Sequence, residues 1–279
     1  MDNNYVEDFL NVKSLEGCSA ATIKLYGFYL RKFFESTNKN ALDVTTSDIR
    51  NYLVKYKQEK HVSNVTLDNA RRVYTSFFRW MHREGNIVKD PSAAVQRIKT
   101  DKVIKTPFSN SDIELLRENV QNDREEAILE VLYSSGIRVG ELVGLNRSDI
   151  DWNNGTAIVF GKGHKEREVY FSAHALAVLN RYLKTRTDNN DALFVGKNYP
   201  HNRLSESTHQ KILKELGERA GVHCHPHRFR RTCATNLLNK GMPVQEVSKI
   251  LGHAELHTTM LYCAIDQNQV AADHRKFMN

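Results

Sequence analysis

The chain has 279 residues, of which 40% are hydrophobic and 26% are charged, so its composition excludes a disordered protein and suits two globular domains. No apolar run is long enough to cross a bilayer, and the first four residues lack the basic start of a signal peptide. We therefore expect a cytoplasmic protein. The net charge of +7 favours polyanionic partners only mildly.

The excess positive charge lies mainly in the first hundred residues. Residues 1–100 contain 16 Lys and Arg against 11 Asp and Glu, whereas residues 101–279 contain 24 against 22. On charge alone, a solvated basic surface and a nucleic-acid-binding surface explain this difference equally well.

The first hundred residues are predicted to be helical throughout. Ser19 can cap a helix whose apolar side chains recur at helical spacing. Thr45 and Asp48 have the spacing of a capping box for a second helix, and a third is predicted over 65–84.

A short, polar and basic stretch ending in proline follows at residues 98–107 and has the composition of a linker. The predicted organisation is a helical domain at residues 1–98, a linker at 99–106 and a second domain at 107–279.

The second domain is predicted to be mainly helical with a small β-hairpin, so the fold class is mainly α with a small sheet (α+β). Glycine and lysine mark the hairpin turn between two β-rich runs. The predicted helices cover about 111–119, 124–134, 138–145, 173–184 and most of the chain after 206; the predicted strands cover 156–160, 168–171 and 193–195.

Four scattered cysteines without CxxC spacing argue against a disulfide framework. Cys224 lies among His223, His225 and His227, but alternating neighbours in an extended run point to opposite sides. We therefore expect no metal there.

Several basic and nucleophilic side chains could act on a phosphate, although each alone has an ordinary explanation. Arg138 follows Ser135-Gly136 at a predicted helix start, where anions are favoured, but it could equally be a surface arginine near a turn. His227 and Arg230 are three apart and so share a helix face, as exposed polar pairs often do.

The hairpin turn and the C-terminal region add three more candidates. Lys162 lies in the predicted hairpin turn, which could equally be a solvated surface loop. His253 precedes Tyr262 by nine residues. A tyrosine hydroxyl, with a pKa of about 10, needs activating neighbours to act as a nucleophile, and alone Tyr262 is most simply a core residue.

The order of the motifs is more informative than any one of them. SSGIRVGELVGL, GKGHKEREV, HPHRFRRTCATNLLNKG and LGHAELHTTMLY follow one another over about residues 125–265. In order and spacing they resemble the tyrosine recombinase/integrase family, in its compact two-domain, Xer-like form. The helical first hundred residues resemble the family's SAM-like core-binding domain.

The resemblance implies a site for cutting and rejoining DNA. Arg138 and Arg230 resemble the arginines that clamp the phosphate, and Lys162 resembles the lysine that protonates the departing 5′ oxygen. Tyr262 resembles the nucleophile that forms a 3′-phosphotyrosyl bond.

Three further positions of the family motif have expected roles. His227 and His253 resemble the hydrogen-bonding and proton-transfer histidines. Glu141 resembles the family's acidic supporting position, and we expect it to support the site without touching the phosphate, which a carboxylate would repel.

Five other basic residues are candidate DNA contacts: Arg71, Arg72, Arg79, Lys165 and Arg231. Arg231 stands where close relatives often have histidine, and we expect it either to contact a backbone phosphate or to pair with a helix neighbour.

The resemblance implies a nucleoid-associated enzyme whose two domains clamp double-stranded DNA at a specific recombination site. It implies a synaptic tetramer that exchanges strands, with or without a partner recombinase or accessory protein. No cofactor is expected, because arginines neutralise the phosphate and the phosphotyrosyl bond conserves energy. The alternatives are a type IB topoisomerase-like relaxing enzyme, a non-catalytic DNA-binding accessory protein and, more remotely, a structural helical protein.

Overall fold

A computed structural model describes residues 3–100, 106–161, 166–252 and 259–260. The chain divides into an N-terminal unit, Met1–Val103, and a C-terminal unit, Ile104–Asn279. The boundary between the units lies inside the segment 99–106 for which a linker is predicted. No described helix is both long enough and apolar enough to span a membrane.

The described part of the N-terminal unit is mainly helical up to Arg83, as predicted, whereas residues 84–100 form turns and irregular chain in place of the helix expected throughout. Its helices are α1 (Asn3–Leu15), α2 (Ala20–Thr37), α3 (Thr46–Lys60) and α4 (Asn64–Arg83). Ser19 caps α2 by accepting a hydrogen bond from the backbone N–H of Thr22, 3.2 Å away. At the start of α3 the predicted capping box is confirmed: Asp48 accepts the N–H of Thr45 at 2.8 Å and returns its own N–H to the Thr45 hydroxyl.

Aromatic rings fill the core of the N-terminal unit. Phe9 of α1, Phe33 of α2 and Phe77 of α4 are fully buried, and Phe9 meets Phe77 edge-on at 5.4 Å between ring centroids. Because α4 has apolar side chains on one face, its arginines lie on the opposite face. The basic surface of this unit is therefore built on the same helix as its core.

Besides a short 3-10 helix, Arg147–Asp149, the described residues of the C-terminal unit form seven α-helices and three strands. They are α5 (Asn110–Glu118), α6 (Asp123–Ser135), α7 (Val139–Gly144), β1 (Ile150–Asp151), β2 (Thr156–Phe160), β3 (Glu166–Tyr170), α8 (Ala173–Lys184), α9 (Glu206–Ala220), α10 (Pro226–Asn239) and α11 (Val244–Leu251). Helix α6 packs against α8, α9 and α10, so it forms the centre of this unit.

The three strands form one antiparallel sheet in the order β1-β2-β3. The predicted hairpin is confirmed, with Val159 opposite Arg167 and Ala157 opposite Val169. The predicted strand over 193–195 is wrong: the segment forms no strand, and isolated bridges join Ala192, just before it, to Asn146 and Val195, its last residue, to Arg203. Its apolar side chains are buried, and burial without a continuous partner strand produced the misleading pattern.

The start of the C-terminal unit is attached to α10. Arg231 donates to the carbonyl of Thr106 at 3.2 Å, and the N–H of Phe108 donates to the Thr232 hydroxyl at 2.8 Å. Arg228 donates to the carbonyl of Pro107 at 3.2 Å and stacks on the Phe108 ring. The chain is thus held along α10 from Thr106 to Phe108.

We expect the fragment Ile104–Asn279 to fold by itself, because its hydrophobic core is separate from that of the N-terminal unit. Circular dichroism should show one cooperative thermal transition. A matched fragment that starts at Asn110 lacks buried Phe108 and should be less stable by about 3 kcal/mol. Equal stability of the two fragments in urea unfolding would contradict a structural role for the segment along α10.

Candidate active site

Helix α10 carries two of the candidate residues, His227 and Arg230. Pro226 occupies its first turn, where the missing N–H costs nothing. His227 is exposed, whereas Arg230 is 4% exposed. Arg230 donates to the carbonyl of Gly136 at 2.9 Å and to the carbonyl of Leu251. The expected pair therefore lies on one helix, with its arginine held between the α6–α7 turn and the end of α11.

Arg138 occupies the N-cap position of α7, where its backbone is extended. Its backbone N–H donates to Glu141 at 2.9 Å, and its Nη1 donates to the same carboxylate at 2.8 Å. Its Nη2 donates to the carbonyl of Gly252 at 3.0 Å. The anion at this helix start is thus the side chain of Glu141, and the Arg138 guanidinium remains about one-third exposed.

Gly136, two residues before Arg138, serves the packing of the turn between α6 and α7. Gly136 has a φ of +59°, which favours glycine. A Cβ there would lie 3.0 Å from a Leu251 methyl and 3.1 Å from the Cβ of Cys233. Gly136 therefore lets the α6–α7 turn pack against α10 and α11, where Arg230 reaches its carbonyl.

Glu141 is buried, with 8% of its surface exposed, and two arginines share its carboxylate. Burial alone would raise the pKa of Glu141. The hydrogen bonds from Arg167, followed by that from the Arg138 backbone, outweigh burial and lower the pKa below its ordinary value. Glu141 is thus a charged residue that supports Arg138 from within the protein.

Arg167 is the residue that sequence reasoning missed. It lies on β3 and is almost buried, with its side chain 8% exposed. It donates through Nη2 to Glu141 at 2.6 Å and through Nη1 to the carbonyl of Ile250. One signal could have found it: Arg167 is two residues before the buried Val169, so strand alternation places its side chain on the same, inward face.

The C-terminal end of α11 accepts hydrogen bonds from all three arginines. The successive carbonyls of Ile250, Leu251 and Gly252 accept from Arg167, Arg230 and Arg138 respectively. Terminal carbonyls lack partners within their helix, and the negative end of the helix dipole attracts cations. The chain continues from this point into His253.

Three guanidinium groups and one carboxylate at one helix end leave a net positive charge. Such a site suits an anion with several oxygens, because guanidinium groups donate paired hydrogen bonds to phosphate. Within the described residues, no group of three or more His, Cys, Asp or Glu could hold a metal ion.

Four of the candidates lie outside the described residues: Lys162, Lys165, His253 and Tyr262. Their roles stay predictions. Of the other candidates in the C-terminal unit, Arg231 donates to the carbonyl of Thr106. The expected roles of Arg231, a phosphate contact or a pair with a helix neighbour, stay predictions.

The N-terminal candidates Arg71, Arg72 and Arg79 line one groove of about 390 Å³ along α4, together with Lys13 and Arg83. Arg71 and Arg72 both pair with buried Asp68, at 2.7 and 3.1 Å. The structure thus orients Arg71 and Arg72 through one carboxylate, whereas Arg79 is exposed.

We expect Glu141→Ala to destabilise the protein by about 3–5 kcal/mol, because it leaves Arg167 charged and buried without its carboxylate. Urea unfolding at pH 7 measures the change. The control is Glu215→Ala, which removes an exposed pair with Lys211 and should cost less than about 0.5 kcal/mol. Similar losses for the two variants would contradict this account.

The difference in the free energy of unfolding between wild type and Glu141→Ala should depend on pH. Because the folded pKa of Glu141 is lowered, its stabilisation is fully present above its ordinary pKa of 4.5 and is lost as pH falls through the folded value. The stability gap between wild type and Glu141→Ala should therefore stay constant above about pH 4.5 and narrow only below it.

Comparison with known proteins gives two matching family models. Residues 108–269 match the phage integrase family, and residues 5–85 match the N-terminal SAM-like domain of phage integrases. The first match covers more than half of the chain, including the Arg138, Arg230 and Tyr262 positions.

Curated relatives and solved structures agree with these matches. Tyrosine recombinase XerC of Oceanobacillus iheyensis is 33% identical, over 98% of this chain and 95% of its own. Tyrosine recombinase XerA of Pyrococcus horikoshii is 31% identical, over 95% and 90%. The Tn1549 transposon integrase, solved in complex with circular intermediate DNA, shares the fold with a TM-score of 0.77 at 20% identity, over 99% of both chains. The chain therefore belongs to the phage integrase family and is a tyrosine recombinase of the Xer type.

Proposed function

We propose that this recombinase binds double-stranded DNA at a specific site and cleaves it through Tyr262. The observation that carries the proposal is the gathering of Arg138 and Arg230 at adjacent carbonyls of α11, directly before the segment that contains His253 and Tyr262. Two arginines placed there can neutralise the non-bridging oxygens of a phosphate attacked by the tyrosine.

The proposed reaction balances without an external energy source. The Tyr262 oxygen attacks phosphorus, a 3′-phosphotyrosyl bond forms and the bond to the 5′ oxygen breaks. Lys162 gives that oxygen its proton, and His227 and His253 hydrogen-bond the phosphate and transfer the tyrosine proton. A 5′ hydroxyl of a second duplex then attacks the phosphotyrosyl bond and releases Tyr262.

Structures of other family members support DNA as the partner. The Tn1549 integrase was solved with circular intermediate DNA, and the XerH site-specific recombinase was solved bound to its palindromic difH substrate. We extend this to a synaptic tetramer on two duplexes, which serves the resolution of DNA dimers or the movement of a mobile element. The same proposal places the protein at the nucleoid.

The groove along α4 is the proposed grip of the N-terminal helical domain, residues 1–98, on DNA. Arg72 and Arg79 are exposed at this groove, and Asp68 holds Arg72 in place. Arginines on one helix face can contact successive backbone phosphates. The proposed catalytic domain, 107–279, then supplies the chemistry.

We expect Tyr262→Phe to bind DNA without forming a covalent link, because phenylalanine lacks the attacking oxygen. The probe is a pool of duplexes randomised on both sides of a nick in one strand, which traps the protein on DNA after cleavage. Wild type should give an SDS-resistant band, and Tyr199→Phe, which alters an exposed tyrosine, should give the same band. A band with Tyr262→Phe would identify another nucleophile.

Sequencing the trapped duplexes separates the recombinase from a relaxing enzyme. Enrichment of one sequence supports site-specific recombination, and the enriched sequence becomes the selected duplex for later experiments. Trapping spread evenly over all sequences would contradict a specific site and indicate topoisomerase-like cleavage.

We expect Arg79→Ala to make binding to the selected duplex less dependent on salt. Loss of one phosphate contact should reduce the slope of log affinity against log salt by about 0.9. The control Lys55→Ala removes an exposed cation of α3, outside the groove, and should leave the slope unchanged. Equal slopes for wild type and Arg79→Ala would exclude Arg79 from the phosphate contacts.

A further inference from the structure

We propose that Arg167 is a positioning residue for DNA cleavage, which orients Arg138 through Glu141 and ties the hairpin to the end of α11. Arg167 has this role only if the chain cleaves DNA as proposed above. Arg167 is not one of the six residues with a proposed catalytic role, which are Arg138, Lys162, His227, Arg230, His253 and Tyr262. Its guanidinium contacts protein groups on two sides.

The contacts of Arg167 require the shape of a guanidinium group. Nη2 and Nε face Glu141 at 2.6 and 3.4 Å, while Nη1 donates to the carbonyl of Ile250. A planar group with several fixed donors can bridge a carboxylate and a carbonyl at once, whereas the single ammonium of lysine cannot match both directions. Charge alone is therefore insufficient at this position.

The end of α11 is shaped around the Arg167 side chain. Gly252 ends the helix with a φ of +62°, and a Cβ there would lie 2.5 Å from Cδ of Arg167. Any larger residue would displace Arg167 or the helix end. Arg167 and the carbonyls that receive Arg138 and Arg230 thus form one packed unit.

Arg167 affects Arg138 because the two share both oxygens of one carboxylate. Oε1 of Glu141 accepts from Arg138 Nη1 at 2.8 Å and faces Arg167 Nε, while Oε2 accepts from the Arg138 backbone and from Arg167 Nη2. Without Arg167, the buried charge of Glu141 would be left to Arg138. The Arg138 guanidinium would then be drawn toward the carboxylate and away from a phosphate.

Arg167 also connects two parts of the site that are distant in sequence. Strand β3 begins at Glu166, four residues after Lys162 in the sequence, and α11 ends at Leu251, two residues before His253. The hydrogen bond from Arg167 to Ile250 joins this strand to this helix. One side chain thus joins two described elements that are next in sequence to the residues proposed as general acid and nucleophile.

The test uses full-length variants on the nicked duplex selected with wild type. Arg167→Ala should lower the single-turnover rate of covalent trapping by about 100-fold, the usual loss for a small misplacement of a catalytic group. Arg167→Lys keeps the charge and the stem, so it folds more readily, and it should still lose about tenfold. DNA affinity should change by less than about threefold for both, since Arg167 is buried.

Two further variants distinguish positioning by Arg167 from a contribution to stability alone: a control at Arg186 and a double variant. Arg186→Ala removes an arginine that is similarly buried and that likewise binds a carboxylate and carbonyls, but away from α11. We expect it to lower the melting temperature and leave the trapping rate unchanged. If Arg167 acts through Arg138, then Arg138→Ala with Arg167→Ala should be no slower than Arg138→Ala alone, within about threefold.

The following results would contradict the proposed role of Arg167. Arg167→Lys as fast as wild type would overturn the positioning role. Rate losses that multiply in the double variant would overturn the action of Arg167 through Arg138. Both results would leave the proposed function intact. No covalent complex with wild type on any duplex of the pool would overturn the proposed function and the role of Arg167 together.

Discussion

The buried carboxylate of Glu141 is the constraint on which the arrangement of the C-terminal unit depends. An ionised carboxylate away from water is costly unless charged hydrogen bonds surround it. Arg138 and Arg167 supply those bonds from α7 and β3, and each extends a further nitrogen to the end of α11. One desolvated charge therefore brings a helix start, a strand and a helix end into fixed positions.

The end of α11 gathers the arginines of the candidate active site. Its last carbonyls have no partners within the helix, so they accept the arginines, including Arg230 from α10. The backbone thereby holds three cations close together, against their mutual repulsion. Donors held in fixed positions are what the stabilisation of a developing negative charge requires.

Helix α4 of the N-terminal unit has an apolar face and a basic face. Its inner face buries Phe77 and Phe78 in an aromatic core, and its outer face carries arginines that line a groove. Asp68 joins the two faces, since it is buried and pairs with Arg71 and Arg72. Packing of the inner face of α4 in the aromatic core thus fixes the position of the arginines on its outer face.

The sequence by itself determined the helices, their caps, the hairpin and the order of the catalytic motifs, because these depend on neighbours a few residues apart. Only the tertiary structure decided that Arg167 shares the carboxylate of Glu141, that Gly136 serves packing, and that residues 193–195 are buried without forming a strand. These facts depend on contacts between elements that are far apart in sequence. The spacing of residues along the sequence does not predict which buried charged side chain contacts which helix end.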